Sequence, residues 1–179
     1  MLKSMEIAIR VGDTTVFPTN VVKNLGVILD SEMSMQPRVK QVVKSSYFHL
    51  RAISRIRRHF DETTCASIVQ AIVISRLDYA NSLLVGLPES TLRKLQLIQN
   101  NAARLITRTR YRDHITPVLR KLHWLPIHSR ITHKLVSLVY KSLNVKKTPT
   151  YIRDMIQVNH PRRALRSCAE VRLIVPKSY

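Results

Sequence analysis

Glycine is scarce in this chain: three residues in 179, at positions 12, 26 and 86. No G-x-G-x-x-G, P-loop or G-x-S-x-G stretch occurs, and no H-E-x-x-H, so the common nucleotide-cradling and hydrolytic motifs are excluded. There are two cysteines, Cys65 and Cys168, far apart and without a partner motif. A disulfide framework is not expected and a reducing compartment is the default. No apolar run approaches the ~18–20 residues of a membrane span; the longest apolar-rich stretch, Ile68 to Ile74, is too short. The N-terminus carries no signal-peptide core, so a cytoplasmic or nuclear location is expected. Acidic residues number eleven, are scattered, and form no D-D or D-x-D pair. A metal-dependent polymerase or nuclease needs clustered carboxylates to hold its ions, so no catalysis is expected of this chain alone. His123, His128 and His133 recur every five residues, which does not place them on one helix face. No cysteine or carboxylate complements them, and neither a metal nor a cofactor is expected. His123–Trp124 reads as packing between two helices.

What is abundant is positive charge. Lys and Arg total 30, for a formal charge of +19. The hydrophobic fraction is 45%, enough for a packed core and against wholesale disorder. Self-repulsion of that size opposes compaction, so a polyanionic partner accounts for it best. DNA or RNA is the first candidate and an anionic membrane surface the second; a merely basic soluble protein is the plain alternative.

The pattern along the chain is that of a mainly helical fold. Residues 6–10 alternate like a strand, Val11-Gly12-Asp13 reads as a turn, and Thr14 to Phe17 as a second strand. Asn24 to Asp30 reads as a third, with Gly26 marking a bulge or close backbone approach and Leu25, Val27 and Leu29 sharing a face. From Pro37 the period becomes helical: Val39, Val42, Val43, Tyr47, Leu50, Ile53, Ile56 and Phe60 follow i, i+3, i+4 spacing. Asp61 is a good N-cap for a second helix, apolar on most sides through Ile68 to Ile74 and expected at the buried centre. Gly86-Leu87-Pro88 ends that region. A third helix begins near Ser90, with Leu92, Leu95, Ile98, Ala102, Leu105 and Ile106 as its apolar face. Thr107 to His114 reads as a loop, and Thr116–Pro117 as N-cap and N1 of a short helix. Trp124-Leu125-Pro126 reads as a hinge into a fifth helix along Ile131, Leu135, Leu138, Val139 and Leu143. Pro149 opens a short sixth helix through Met155, and from Asn159 the chain reads as an extended basic tail.

Two helices carry candidate binding residues. Lys40, Lys44, Arg51, Arg55 and Arg58 line one face of the first, opposite its apolar stripe. No Asp or Glu occurs between Glu32 and Asp61, whereas a merely solvated face normally mixes both signs. Cations at one-turn spacing follow a phosphate backbone without reading sequence. On the third helix Arg93, Gln96, Asn100, Arg104 and Arg108 share a face, and their amides can donate to phosphate, sugar or base edges. Arg110 and Arg112 extend the charge into the next loop, with Tyr111 between them as a stacking platform or a locally packed ring. Asp78, beside Arg76, reads as a structural salt bridge or helix-end contact.

Several blocks together resemble reverse transcriptases of LINE-type (non-LTR) retrotransposons. They are Lys23-Asn24-Leu25-Gly26-Val27-Ile28-Leu29-Asp30, then Ser75-Arg76-Leu77-Asp78-Tyr79-Ala80-Asn81, then Gly86-Leu87-Pro88. Leu95-Gln96, Gln99-Asn100-Asn101-Ala102-Ala103-Arg104-Leu105, His114-Ile115-Thr116-Pro117 and Leu122-His123-Trp124-Leu125-Pro126 follow, as do Tyr140 to Asn144 and Leu165-Arg166-Ser167. Order and spacing agree over nearly the whole chain. Ala80 stands where the family usually has Cys, and Asn101 where it has Ala. The family's Y/F-A-D-D palm motif, its other metal-binding aspartate, its fingers and its endonuclease domain lie upstream of this segment and are not in the 179 residues.

The resemblance therefore implies an internal fragment. It would comprise a β element at 1–30 from the palm-to-thumb junction, thumb-like helices at 31–108, a further helical region at 109–158 and an extended tail at 159–179. The expected fold is mainly α: a helical thumb-like bundle with a small N-terminal β element. The implied role is to clamp a template–primer duplex or template RNA, with RNA, DNA or an RNA–DNA duplex as partner, no membrane, and an upstream palm domain in the parent enzyme. A decayed element remnant without function and an interaction domain reused by a host remain as alternatives.

Overall fold

The computed structural model describes residues 8–145, 148–159 and 172–174. It is mainly α-helical with a small N-terminal β element. Contacts divide the chain into two compact units, Met1–Ile131 and Thr132–Tyr179. The division falls inside a helix, well past residue 108, where the sequence places the end of the thumb-like part.

The first unit begins with two antiparallel hairpins, β1 (Ile9–Val11) with β2 (Thr14–Val16), and β3 (Val21–Asn24) with β4 (Val27–Asp30). The segment expected to be a single strand from Asn24 is thus a tight turn. Asn24 pairs with Val27, and Leu25 (φ 46°) and Gly26 (φ 81°) form the two-residue loop. Positive φ at both loop positions matches the twist of flanking strands, and Gly26 meets that demand without strain. The expected Leu25, Val27, Leu29 face does not exist, because the chain reverses at Leu25, which is 84% exposed. The last strand residue serves the next element. The Asp30 carboxylate accepts from the Ser34 hydroxyl (2.6 Å) and from the backbone N–H groups of Ser34 and Met35 (3.2 Å each). Those bonds, the Ser34 hydroxyl's above all, hold its pKa below the ordinary 3.8 against the cost of burial.

Helix α1 (Gln36–Ile56) starts one residue before Pro37, with proline in the first turn where an N–H has no intrahelical partner. Val39, Val42, Leu50 and Ile53 bury its apolar stripe. Helix α2 (Glu62–Val69) is capped by Asp61, whose side chain accepts from the Thr64 N–H at 3.3 Å and from the Thr63 hydroxyl. It runs through a π-helical turn (Gln70–Ile74) into α3 (Ser75–Asp78). Cys65, Val69, Val73 and Ile74 are wholly buried, so this rod is the centre of the core, as its composition requires.

Helix α4 (Glu89–Thr107) lies along α1. Four side-chain bonds fix the pair as parallel. Gln36 Nε2 donates to Thr91 Oγ1 (3.2 Å) near both starts, and Asn101 Nδ2 to the Tyr47 hydroxyl (3.3 Å) midway. At the far end Arg57 Nε donates to the Leu105 carbonyl (2.8 Å) and Nη2 to that of Ile106 (2.6 Å). Helix α5 (Ile115–Lys121) is capped at His114, two residues earlier than expected. Pro117 therefore occupies the third helical position, which still lacks an intrahelical acceptor for its N–H. Helix α6 (Ile127–Asn144) begins after the Trp124-Leu125-Pro126 hinge. His123 does not pack between helices: it is exposed in a left-handed turn (φ 53°), and only Trp124 joins the core.

The second unit holds the remainder of α6 and a short helix α7 (Thr150–Asp154), which opens after Pro149 as expected. Arg153 Nε donates to the Ser142 carbonyl (3.2 Å) and ties α7 to the end of α6. Val158 bridges Leu173 in antiparallel sense; the rest of the tail expected from Asn159 lies outside the described residues.

Candidate nucleic-acid interface

Lys40, Lys44, Arg51 and Arg55 emerge on one side of α1, and Arg58 continues the line into the 3-10 turn (Arg57–His59). All five are exposed. Their only bond among the described residues is from Arg58 Nε to the neighbouring His59 ring (3.1 Å); none meets a carboxylate. At 1.5 Å per residue, Lys40 to Arg55 spans about 22 Å, the rise of roughly six nucleotides of one B-DNA strand.

Phe48 escaped the sequence reading. It is 68% exposed, one turn from Lys44 on one side and from Arg51 on the other, with its ring roughly perpendicular to that of His49 at 5.3 Å between centroids. A large aromatic left in water among cations is what base stacking uses. The signal was present: Phe48 falls outside the i, i+3, i+4 apolar series of its helix.

Arg57 shows the opposite. It interrupts the cationic line at the same helix end, yet it is only 8% exposed. Its third bond, from Nη1 to the Phe60 carbonyl, completes a clasp on the last turn of α4. The Leu105 and Ile106 carbonyls are orphan acceptors of the α4 end, and one guanidinium satisfies both while also reaching Phe60.

The α4 face divides in two. Gln96 and Asn100 are committed within the fold. Gln96 Oε1 accepts from the Ile127 N–H (2.8 Å) and so caps α6, while its Nε2 donates to Gln99 (2.9 Å) and Asn100 (2.8 Å). Buried Gln99 in turn donates to the Leu125 carbonyl (2.8 Å). This amide ladder satisfies the backbone of the hinge and uses both ends of the Gln96 amide, while Asn100 joins it only as an acceptor through Oδ1. Arg104 is likewise engaged, with Nη2 on the Asp113 carbonyl (3.0 Å), Nε on that of Arg110 (3.4 Å) and its guanidinium 5.5 Å over the ring of Tyr111. Tyr111 itself is 81% exposed. Arg93, Arg108, Arg110 and Arg112 remain exposed, with side chains unpaired among the described residues. Because α1 and α4 are parallel, Arg55, Arg58, Arg108, Arg110 and Arg112 gather towards one end of the pair. Part of that charge answers the negative ends of two helix dipoles. There burial raises the Cys65 thiol's pKa, and the charges of Arg57 and Arg108 oppose the rise.

Asp78 does not pair with Arg76. It accepts two bonds from Arg130 Nη1 (2.7 and 3.0 Å), locking α3 to the start of α6. Among the described residues no three of His, Cys, Asp and Glu stand close enough to hold a metal ion. None of the described helices is long and apolar enough to cross a membrane. No family model matches the chain, and neither the curated proteins nor the solved structures provide a match.

Proposed function

We propose that this chain is a nucleic-acid-binding module that grips a phosphate backbone along α1, as a thumb element of a LINE-type reverse transcriptase would. One observation carries the reading: five exposed cations on one face, over a 28-residue stretch (residues 33–60) without an acid. The affinity is electrostatic and weakly sequence-dependent, because backbone contacts position a protein without specifying bases. The kinship rests on the ordered sequence blocks. It is supported by the exposed apolar hairpins, where Ile9, Val11, Val16, Val21 and Val22 are each more than half exposed. Such a surface suits an adjoining sheet, which in the parent enzyme would be the palm. Primer extension is not expected from these residues alone, since their scattered acids offer no two-metal site.

The test is a salt titration of binding to labelled duplex DNA and RNA, for the native chain and for Lys44→Gln/Arg51→Gln/Arg55→Gln. The log–log slope should shrink by about 0.9 per lost contact on B-DNA. Melting should stay unchanged or rise, since Gln, Lys and Arg have similar helix propensity and self-repulsion falls. A triple variant that melts early yet binds normally would make the stripe structural and overturn the assignment.

A further inference from the structure

A second group of cations lines a cleft away from the stripe. The cleft has a volume of about 400 Å³ and opens between the β3–β4 turn, α1 and the α3 end. Lys23 comes from β3, Arg38, Gln41 and Ser45 from α1, and Arg76 and Tyr79 from α3 and the residue after it; no Asp or Glu lines it. Its size falls in the range of small-molecule sites, about 300–1,000 Å³.

The walls are held in place. The Tyr79 hydroxyl donates to the Leu25 carbonyl, anchoring the hairpin turn against α3. Arg38 lies 5.6 Å over the Tyr79 ring, donates from Nη2 to the Tyr79 carbonyl (3.3 Å) and from Nη1 to Gln41 Oε1 (3.2 Å). That leaves three of the five guanidinium N–H groups without a protein acceptor. Arg76 spends only Nε, on the Ile72 carbonyl (2.8 Å), and Lys23 has no partner among the described residues. Desolvation lowers the Arg38 pKa, against the electrostatic influence of Tyr79, yet a guanidinium remains charged at neutral pH. Three cations around one cleft without a counter-charge repel one another, and an anion with several acceptor oxygens would relieve this and fill the open N–H groups.

We propose that this cleft is a phosphate site, in which Lys23, Arg38 and Arg76 hold the phosphate group of a nucleotide. It is separate from the α1 stripe: residues 38, 41 and 45 lie about a third of a turn round the helix from residues 40, 44, 51 and 55. The phosphate can belong to a free nucleotide or to the end of a strand, and the two are separable. The proposal stands whether or not the stripe binds nucleic acid.

The experiment is calorimetric titration of the full chain with AMP, with adenosine, and with a short oligonucleotide with and without a 5′-phosphate. AMP should bind and adenosine should not. Lys23→Gln/Arg76→Gln should weaken AMP by about tenfold or more, as expected for lost charge-assisted bonds, with an unchanged melt. Arg38 is spared because its bond to the Tyr79 carbonyl joins two elements, whereas the Arg76 bond to Ile72 lies within one exposed helical turn. The α1 triple variant should bind AMP like the native chain while its duplex salt slope falls, which separates failure here from failure of the stripe. A gain from the 5′-phosphate identifies a strand end as the source; AMP binding without that gain identifies a free nucleotide. Equal binding of AMP and adenosine, binding of neither, or a double variant that folds and keeps native AMP affinity would overturn the site.

Discussion

Neighbouring arginines at the end of α1 have opposite physical roles. Arg55 and Arg58 project into solvent, while Arg57 is buried on three carbonyls. Arg57→Met should therefore cost at least about 2 kcal/mol, since buried acceptors lose a charged donor. Arg55→Gln and Arg58→Gln should leave the melt nearly unchanged, as surface substitutions do. Equal melts for all three variants would mean that the clasp contributes nothing. Asp61 makes a second residue-scale case. Hydrogen bonds from Thr63 and Thr64 outweigh desolvation and hold its pKa at about 2, against an ordinary 3.8. A depressed carboxylate stabilises the fold above its unfolded pKa, and that contribution is lost as pH falls through the folded one. Melting temperature should then decline between about pH 4 and pH 2. Asp61→Asn keeps the capping acceptor but cannot titrate, so it should shrink that decline. An identical acid profile would show that the cap's charge is irrelevant.

At the scale of elements, the β3–β4 hairpin is the least comfortable piece. Leu25 holds a left-handed conformation that costs a side-chain-bearing residue energy, and its side chain is mostly in water. Leu25→Asn should stabilise the hairpin by on the order of 0.5–1 kcal/mol, because Asn-Gly is favoured in such a turn and only the Leu25 carbonyl is used by Tyr79. Slower amide exchange at Val22 and Leu29, which face each other in a hydrogen-bonded pair, would register it; faster exchange would reject the turn. The α1–α4 pair is the opposite extreme. Ile98 is wholly buried there, and Ile98→Ala should cost about 2–5 kcal/mol in a denaturant titration. A smaller loss would mean that the core collapses around the gap.

Across the whole molecule, charge is the dominant fact. With +19 overall and only two ion pairs among the described residues, repulsion is mostly unrelieved. Raising ionic strength from about 0.01 M to 0.15 M shortens the Debye length from about 30 Å to 8 Å. The melting temperature should rise over that range, and rise further with duplex nucleic acid if the stripe binds it. A fall with salt would mean that attractive surface pairs outweigh the excess positive charge.

Helical periodicity, the Asp61 cap, the Pro37 and Pro149 helix starts and the excess of charge were legible in the sequence, because each depends on residues within a few positions of one another. So was the exposure of the α1 cations, which follows from their sitting opposite a continuous apolar stripe. Three things were decided only by the tertiary structure. Gln96 looks like part of a reading face until the start of α6 arrives beside it and the Ile127 N–H takes its carbonyl oxygen, while its amide nitrogen turns to Gln99 and Asn100 on its own helix. Arg57 looks like its neighbours until the parallel packing of α1 and α4 brings orphan carbonyls within reach. The cleft joins Lys23, Arg38 and Arg76 from three elements, 15 and 38 residues apart in the chain. A short-range pattern determines which face a side chain occupies, whereas its partners depend on which distant segment covers that face.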